Sequence, residues 1–155
     1  MKKISIIFSF RNEEKNLKEL LERTNKVLEK VKAKYSSELI FVNDLSTDNS
    51  LKILRENLDY YPIKIINMSR RFGSTSCVLA GFKNATGDLA IYLDSDLQDP
   101  PELIEKLLEK YEEGYEVVHT LRTKRLGENK IKMKITNYAY KIINFFSNIE
   151  LKSNC

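Results

Sequence analysis

Short apolar runs alternate with longer amphipathic stretches along the 155 residues of the chain. Apolar runs of a few residues that end abruptly in polar residues are typical of buried strands. Five such runs predict strands at 4–10, 39–42, 63–66, 89–93 and 115–121.

The stretches between these runs predict helices. Apolar residues recur at spacings of three and four over 17–31, which predicts an amphipathic helix with Asn12 as its cap. The capping side chains of 46–50 predict a short helix that ends near Asn57. A further helix is predicted at 73–84, and another after an acidic cap at Asp99 that Pro100 and Glu102 reinforce. The last helix is predicted at 130–148.

Strands and helices thus alternate five times, which is typical of the α/β class. We predict one domain over 1–155, an open, mostly parallel twisted sheet with helices on both faces. In such sheets, ligands bind outside the carboxyl ends of the strands, near a switch in strand order.

Polar and acidic side chains lie at the carboxyl ends of four of the predicted strands. They are Arg11-Asn12-Glu13, Asn43-Asp44, Asp94-Ser95-Asp96 and His119 to Arg122. Because the carboxyl ends of parallel strands meet at one edge of a sheet, we expect these side chains to converge on one rim.

Asp94 and Asp96 carry the most specific chemistry on this rim. Two carboxylates one residue apart suit a hard divalent cation, and Gln98 adds an amide oxygen within reach. The alternative is a plain turn, in which Asp and Ser are also common. The chain has neither G-x-G-x-x-G nor G-x-x-x-x-G-K-[ST], so a metal ion would have to neutralise the phosphates of any bound nucleotide.

Composition narrows the class of protein. With 42% hydrophobic and 31% charged residues, the chain is typical of globular rather than disordered proteins. Its net charge of +4 is modest, and we predict no nucleic-acid partner. Cys77 and Cys155 provide no disulfide framework, and no apolar run is long enough to span a bilayer, so we expect a reducing, cytoplasmic setting.

Several stretches together resemble the family 2 glycosyltransferases of GT-A fold, and especially the branch that makes polyprenyl- or dolichyl-phosphate sugars. The resemblance runs from about residue 4 to the end of the chain, and its most specific part is DSDLQDPPELI at 94–104. The other matching stretches are FRNEE at 10–14, FVNDLSTDNS at 41–50, SRRFG at 69–73 and ATGD at 85–88.

The resemblance implies a role for individual residues. Asp94 and Asp96 would hold Mg²⁺ or Mn²⁺ and the donor diphosphate, with Gln98 as a further metal ligand. Asp44 would contact the base or ribose, and Arg122 would contact the phosphates in catalysis. The remaining residues expected at the nucleotide are Ser9, Arg11, Glu13, Val42 and Ser95.

The chain also departs from the family pattern. Asn43 stands where the family usually has Asp, Leu45 replaces the usual Gly, and Arg71 replaces a usual Asn. Similar proteins continue past Cys155 with an acceptor-binding segment. The sequence therefore resembles the donor-binding part of a longer enzyme.

The resemblance implies metal-dependent transfer of a hexose from a UDP- or GDP-sugar to a polyprenyl or dolichyl phosphate. Because a phosphate monoester is already mostly anionic at neutral pH, a general base is less necessary, and Asp99 is explained better as a cap. The alternative is a nucleotide-sugar-binding module without turnover, and an Asp-nucleophile phosphatase is disfavoured. His119 and Cys77 are interpreted as structural residues.

The stretch 122–134 holds six basic residues and one acidic residue and precedes an apolar stripe. The helix predicted at 130–148 carries this stripe, and a basic amphipathic helix either packs on the sheet or lies on an anionic bilayer. We therefore keep peripheral membrane contact through 122–149 as an expectation, at the cytoplasmic face of the membrane.

Overall fold

The computed structural model describes residues 1–120, and the elements up to residue 109 belong to one compact unit, Met1–Glu109. A second unit begins at Lys110. The strands are β1 (Lys2–Phe10), β2 (Tyr35–Asn43), β3 (Ile63–Asn67) and β4 (Leu89–Asp94). The helices are α1 (Leu17–Val31), α2 (Ser50–Glu56), α3 (Ser74–Asn84) and α4 (Leu103–Glu112).

The described strands form one parallel sheet in the order β3-β2-β1-β4. The chain therefore runs from β1 to one side of the sheet through β2 and β3, and then crosses to the other side of β1 to place β4. At the carboxyl end of β1, Ser9 faces Val42 of β2 and Asp94 of β4. The switch in strand order thus lies between β1 and β4, where a ligand crevice is expected.

Helices cover both faces of the sheet, which confirms the predicted fold class. The even-numbered side chains of β1, from Ile4 to Phe10, pack in one core cluster with leucines of α1, α2 and α4, and Phe8 stacks on Phe41 with ring centroids 4.9 Å apart. On the opposite face, Ile7 packs with Cys77 of α3. A Cβ at Gly81 would lie 2.3 Å from Ile7 Cγ2, so the close approach of α3 to β1 requires glycine there.

The predicted fifth strand is absent from the part of its range that the structure describes. Residues 115–120 join no ladder with the described strands, and Tyr115 and Val117 are 57% and 71% exposed. An apolar run becomes a strand only where a neighbour pairs with it and buries it. His119 is exposed in this segment.

The predicted helix caps are also corrected. Helix α1 begins at Leu17 without a side-chain cap, and Asn12 instead accepts a hydrogen bond from the Thr47 N–H at 2.8 Å. Helix α4 begins at Leu103, later than predicted, with its first N–H donating to the Pro100 carbonyl at 2.9 Å.

Glu102, predicted to reinforce the cap of α4, binds the Arg23 guanidinium of α1 at 3.1 and 2.7 Å instead. This ion pair lowers the pKa of Glu102 and ties α4 to α1. The predicted helix at 130–148, Arg122 and the stretch 122–149 lie outside the described residues.

Candidate functional site

An open cleft of about 270 Å³ lies at the switch in strand order, outside the carboxyl ends of β1 and β4. It brings together Arg11, Asp44, Asp94 and Asp96, which confirms the expected convergence for the residues that follow β1, β2 and β4. The fourth expected group, His119 to Arg122, stays a prediction. The lining residues are Ser9, Phe10, Arg11, Glu13, Asp44, Ser74, Cys77, Asp94, Ser95 and Asp96.

Asp94 ends β4 and is held from its own strand. Its Oδ1 accepts a hydrogen bond from the Tyr92 hydroxyl at 2.5 Å, and that hydroxyl lies 3.3 Å from Ser9 Oγ. Burial and the Asp94 carboxylate raise the pKa of Tyr92 to about 12, so the phenol remains protonated at neutral pH. No pattern in the sequence marks Tyr92 as functional, because a tyrosine inside an apolar run resembles an ordinary core residue.

The turn after Asp94 is fixed by short-range contacts. Ser95 is buried, and its Oγ donates to the Ser9 carbonyl at 2.8 Å, which ties the end of β4 to β1. Asp96 Oδ1 accepts the Gln98 N–H at 3.0 Å, across Leu97 at a φ of 63°. The Asp96 carboxylate thus closes its own turn at the edge of the cleft, and Gln98 is exposed and lies outside the lining.

Asp44 is 6% exposed and holds the start of α3. Its two carboxylate oxygens accept the backbone N–H groups of Phe72 at 2.7 Å and Gly73 at 3.0 Å. Burial alone would raise the pKa of Asp44, but these two donors, the Cys77 thiol and the charge of Arg71 together outweigh it and lower the pKa. Asp44 is therefore an anchored carboxylate in the cleft wall, and its contact with a base or ribose stays a prediction.

Of the other residues expected to contact the nucleotide, some line the cleft and one lies in the core. Arg11 is exposed and Glu13 half-buried, and both line the cleft. Glu13 Oε2 accepts a hydrogen bond from Asn16 Nδ2 at 2.6 Å. Val42 is fully buried with Ile7 in the core beneath α3, so its side chain lies in the core and outside the lining of the cleft.

The loops that follow β1 and β2 are joined by reciprocal hydrogen bonds. The Glu13 N–H donates to Ser50 Oγ at 2.8 Å, and the Glu14 N–H donates to Asp48 Oδ2 at 3.1 Å. In return, the Asn49 N–H donates to Glu14 Oε2 at 3.0 Å. The polar cluster 46–50, predicted only as a helix start, therefore also fixes the loop that carries Arg11 and Glu13.

The departures Asn43 and Leu45 have structural roles on this rim. Asn43 donates to Asn67 Oδ1 at 3.0 Å and accepts the Ser46 N–H at 2.8 Å, so its amide joins β3 to the loop after β2. Leu45 has a φ of 56°, in the left-handed region that favours glycine. A residue in that region also follows β1 (Asn12) and β4 (Leu97), so backbone strain concentrates at this end of the sheet.

Within residues 1–120, no group of three or more His, Cys, Asp or Glu side chains is placed to hold a metal ion. The carboxylates of Asp94 and Asp96 nevertheless fit a hard cation such as Mg²⁺, which is commonly bound through one or two protein carboxylates plus substrate phosphates and water. This donor set consists of oxygens and suits Mg²⁺ or Mn²⁺.

Cys77 lines the base of the cleft and belongs to the core beneath α3. Burial and the nearby Asp44 carboxylate raise the pKa of its thiol to about 11. The thiol is therefore protonated and unreactive at neutral pH, as the interpretation of Cys77 as a core residue requires.

None of the helices in the described range is long and apolar enough to cross a membrane.

Solved structures share this fold. The S. aureus TarS fragment 1–349, solved in complex with UDP-GlcNAc, matches with a TM-score of 0.59 and 21% identity, over 79% of this chain and 38% of that one. A mannosyltransferase from Pyrobaculum calidifontis, PcManGT, solved in complex with GDP-Man and Mn²⁺, matches with a TM-score of 0.54 and 20% identity, over 61% of this chain and 28% of that one. At such identities, the likeness shows the fold alone, and it agrees with the predicted GT-A fold.

Curated relatives are more similar in sequence. The uncharacterized glycosyltransferase YkcC of Bacillus subtilis is 42% identical over 95% of this chain and 45% of its own length. The undecaprenyl-phosphate 4-deoxy-4-formamido-L-arabinose transferase of Proteus mirabilis is 46% identical over 79% of this chain and 38% of its own length. The chain thus spans about half the length, or less, of these relatives.

The family model of Glycosyl transferase family 2 matches residues 5–154, nearly the whole chain. This match covers every described strand and helix except residues 2–4 at the start of β1, and it includes all of the cleft residues. The chain therefore belongs to glycosyl transferase family 2.

Proposed function

We propose that this protein transfers a hexose from a UDP- or GDP-sugar to a polyprenyl or dolichyl phosphate, in a reaction that depends on Mg²⁺ or Mn²⁺. The single observation that carries the proposal is the meeting of Asp94 and Asp96 with Ser9 and Asp44 in one cleft at the switch in strand order. Oxygen ligands for a cation and polar groups for a nucleotide are thereby available in the same crevice.

The names of similar proteins support three parts of the proposal, which are the lipid phosphate, the nucleotide sugar and the cation. One relative is named as an undecaprenyl-phosphate sugar transferase, which supports a lipid phosphate as acceptor. Structures of the same fold were solved with UDP-GlcNAc and with GDP-Man and Mn²⁺, which supports a nucleotide-sugar donor and a divalent cation.

Individual residues of the cleft have separate proposed roles. Asp94 and Asp96 would hold the cation, which neutralises the charge that develops on a departing diphosphate. Ser9, Arg11 and Glu13 line the space beside them and would contact the donor nucleotide. We also propose that Gln98 is a cation ligand, that Ser95 contacts the nucleotide and that Arg122 contacts the phosphates.

The acceptor makes a base unnecessary. An oxygen of the acceptor phosphate bonds to the anomeric carbon of the sugar, while the bond from that carbon to the donor diphosphate oxygen breaks and the nucleoside diphosphate leaves. Since the second pKa of a phosphate monoester is about 6, its oxygen already carries charge at neutral pH.

We place the protein at the cytoplasmic face of the membrane, in peripheral contact through 122–149.

A nucleotide-sugar-binding module without turnover is the second candidate. It is favoured by one observation, that the described cleft is lined by groups that suit a donor nucleotide and a cation, Asp44, Asp94 and Asp96 among them. In this candidate, the cleft binds the donor without transferring its sugar.

Calorimetry on the 155-residue chain tests donor and metal together. We expect UDP-glucose or GDP-mannose to bind more tightly with Mn²⁺ than without it, and Asp96→Asn to abolish this metal-dependent part. Asp59→Asn, which changes an exposed carboxylate in the turn after α2, is the matched control and should bind like the wild type. Equal metal dependence in Asp96→Asn would contradict the metal assignment.

A transfer assay then separates the two candidates. Transfer of labelled sugar to a short polyprenyl phosphate supports the enzyme, whereas binding without transfer supports the binding module. Hydrolysis of a generic phosphoester would indicate a phosphatase and contradict both candidates.

A further inference from the structure

The Tyr92 hydroxyl connects the two strands that flank the cleft. It donates to Asp94 Oδ1 at 2.5 Å, so the Ser9 hydroxyl, 3.3 Å away, is left to donate to the Tyr92 oxygen. Ser9 and Asp94 face each other across the β1–β4 ladder, so the phenol joins both side chains. We infer that Tyr92 is a positioning residue that sets the Asp94 carboxylate for a divalent cation, an inference that rests on the proposed function.

The position of Asp94 explains why such a contact matters. It is the last residue of β4, and the chain turns immediately after it. The last torsion of an aspartate side chain is broad, so a carboxylate at a strand end can rotate unless another group holds it. The hydrogen bond from Tyr92 to Oδ1 restricts that rotation and so orients the carboxylate at the cleft.

The ring of Tyr92 makes the hydroxyl a rigid donor. The side chain is half-buried and packs against the core cluster beneath α3, with Ile7 and Val42 among its members. The packed ring fixes the place of the oxygen, and Ser9 holds it from the neighbouring strand. Groups that hold metal ligands in this way contribute about 10- to 100-fold to metal affinity when they are tested by mutation.

Tyr92→Phe removes the hydroxyl and keeps the ring that packs in the core. We expect the dissociation constant for Mn²⁺, measured by calorimetry on the 155-residue chain with UDP present, to rise by about 10- to 100-fold. Tyr61→Phe is the matched control, because Tyr61 is also a partly buried tyrosine but packs on the opposite face of the sheet. The control should bind Mn²⁺ like the wild type.

A second measurement reports on the hydrogen bond without any metal. In a double-mutant cycle of Tyr92→Phe and Asp94→Asn, followed by urea unfolding without metal, the two substitutions should be non-additive because the residues are in contact. Additive effects would overturn the inference.

The two measurements distinguish the ways in which the inference can fail. Non-additive unfolding with unchanged Mn²⁺ affinity in Tyr92→Phe would make the hydroxyl a purely structural group and overturn the positioning role. If the cycle is non-additive but the wild-type chain binds no Mn²⁺, the proposed metal site itself is wrong. The inference is then overturned together with the proposed function.

Discussion

The two ends of the parallel sheet both carry clusters of polar side chains, but the clusters differ in how their hydrogen bonds are used. At the amino end, Glu38 accepts hydrogen bonds from Ser5 Oγ at 2.5 Å, Lys3 Nζ at 3.0 Å and the Thr86 N–H at 2.8 Å. The donors themselves are linked, since Lys3 Nζ also donates to Thr86 Oγ1 at 2.6 Å. This cluster is closed upon itself.

The carboxyl end is arranged differently. There the carboxylates of Asp94 and Asp96 border an open cleft, and left-handed residues stand after β1, β2 and β4. Strain of this kind persists only where the surrounding structure enforces it, and it concentrates at functional sites. The comparison teaches that acidic residues in a motif are no guide to function until their partners are known.

The stretch ATGD illustrates this point. It is one of the stretches that resemble the family, yet its Thr86 and Gly87 belong to the closed cluster at the amino end. A Cβ on Gly87 would lie 2.7 Å from the Lys3 carbonyl, which explains the glycine by close approach of the backbone. This part of the resemblance reports on folding rather than on chemistry.

The largest expected effect separates the two clusters by stability. Glu38→Gln replaces a charged acceptor with an amide that has one oxygen fewer, and we expect it to cost about 2 kcal/mol of unfolding free energy in urea titrations. Asp96→Asn keeps an acceptor for the Gln98 N–H and should stay within about 0.5 kcal/mol of the wild type. If both substitutions cost the same, the contrast between the clusters is wrong.

Acid should weaken the amino-end cluster in a defined range of pH. Burial alone would raise the pKa of Glu38, but hydrogen bonds from Ser5, Thr86 and Lys3 outweigh it and lower the pKa to about 2. Because the unfolded-state pKa is about 4.3, the contribution of Glu38 is complete above that pH and is lost as the pH falls toward 2.

We therefore expect the gap in unfolding free energy between wild type and Glu38→Gln to shrink by about 1.5 kcal/mol from pH 5 to pH 3. Urea titrations of both proteins at each pH measure it. Asp44 and Asp48 also have lowered pKa values, so the wild type and the variant should share a further loss of stability in acid. A gap that stays constant or widens would contradict the assignment.

The main architecture could be predicted because it follows from local patterns. The first four strands and the four helices lie close to their predicted places, and parallel strands necessarily bring Asp44 and Asp94 to the same edge. The fifth strand failed because pairing with a neighbour is not a property of the run itself.

The details of the site were harder to predict because they depend on contacts between distant residues. Asn12 resembles a helix cap, but its side chain accepts from Thr47, 35 positions away. Asp44 resembles a ligand, but it is held by Phe72 and Gly73 at the start of α3. Such partners are chosen by the tertiary fold, and spacing along the chain does not reveal them.

The smallest expected effect concerns the strain at Leu45, which is 48% exposed at a φ of 56°. A left-handed backbone costs an ordinary residue about 1–2 kcal/mol, and glycine at the same position avoids this cost. The greater freedom of glycine in the unfolded chain offsets part of that stabilisation. We therefore expect Leu45→Gly to raise the unfolding free energy by about 0.5 kcal/mol in urea titrations. Leu45→Ala removes the same apolar contacts but keeps the strain, so it should bring no gain. A gain of equal size in both variants would trace the effect to the exposed side chain, and a loss in Leu45→Gly alone would show that this rim is not strained.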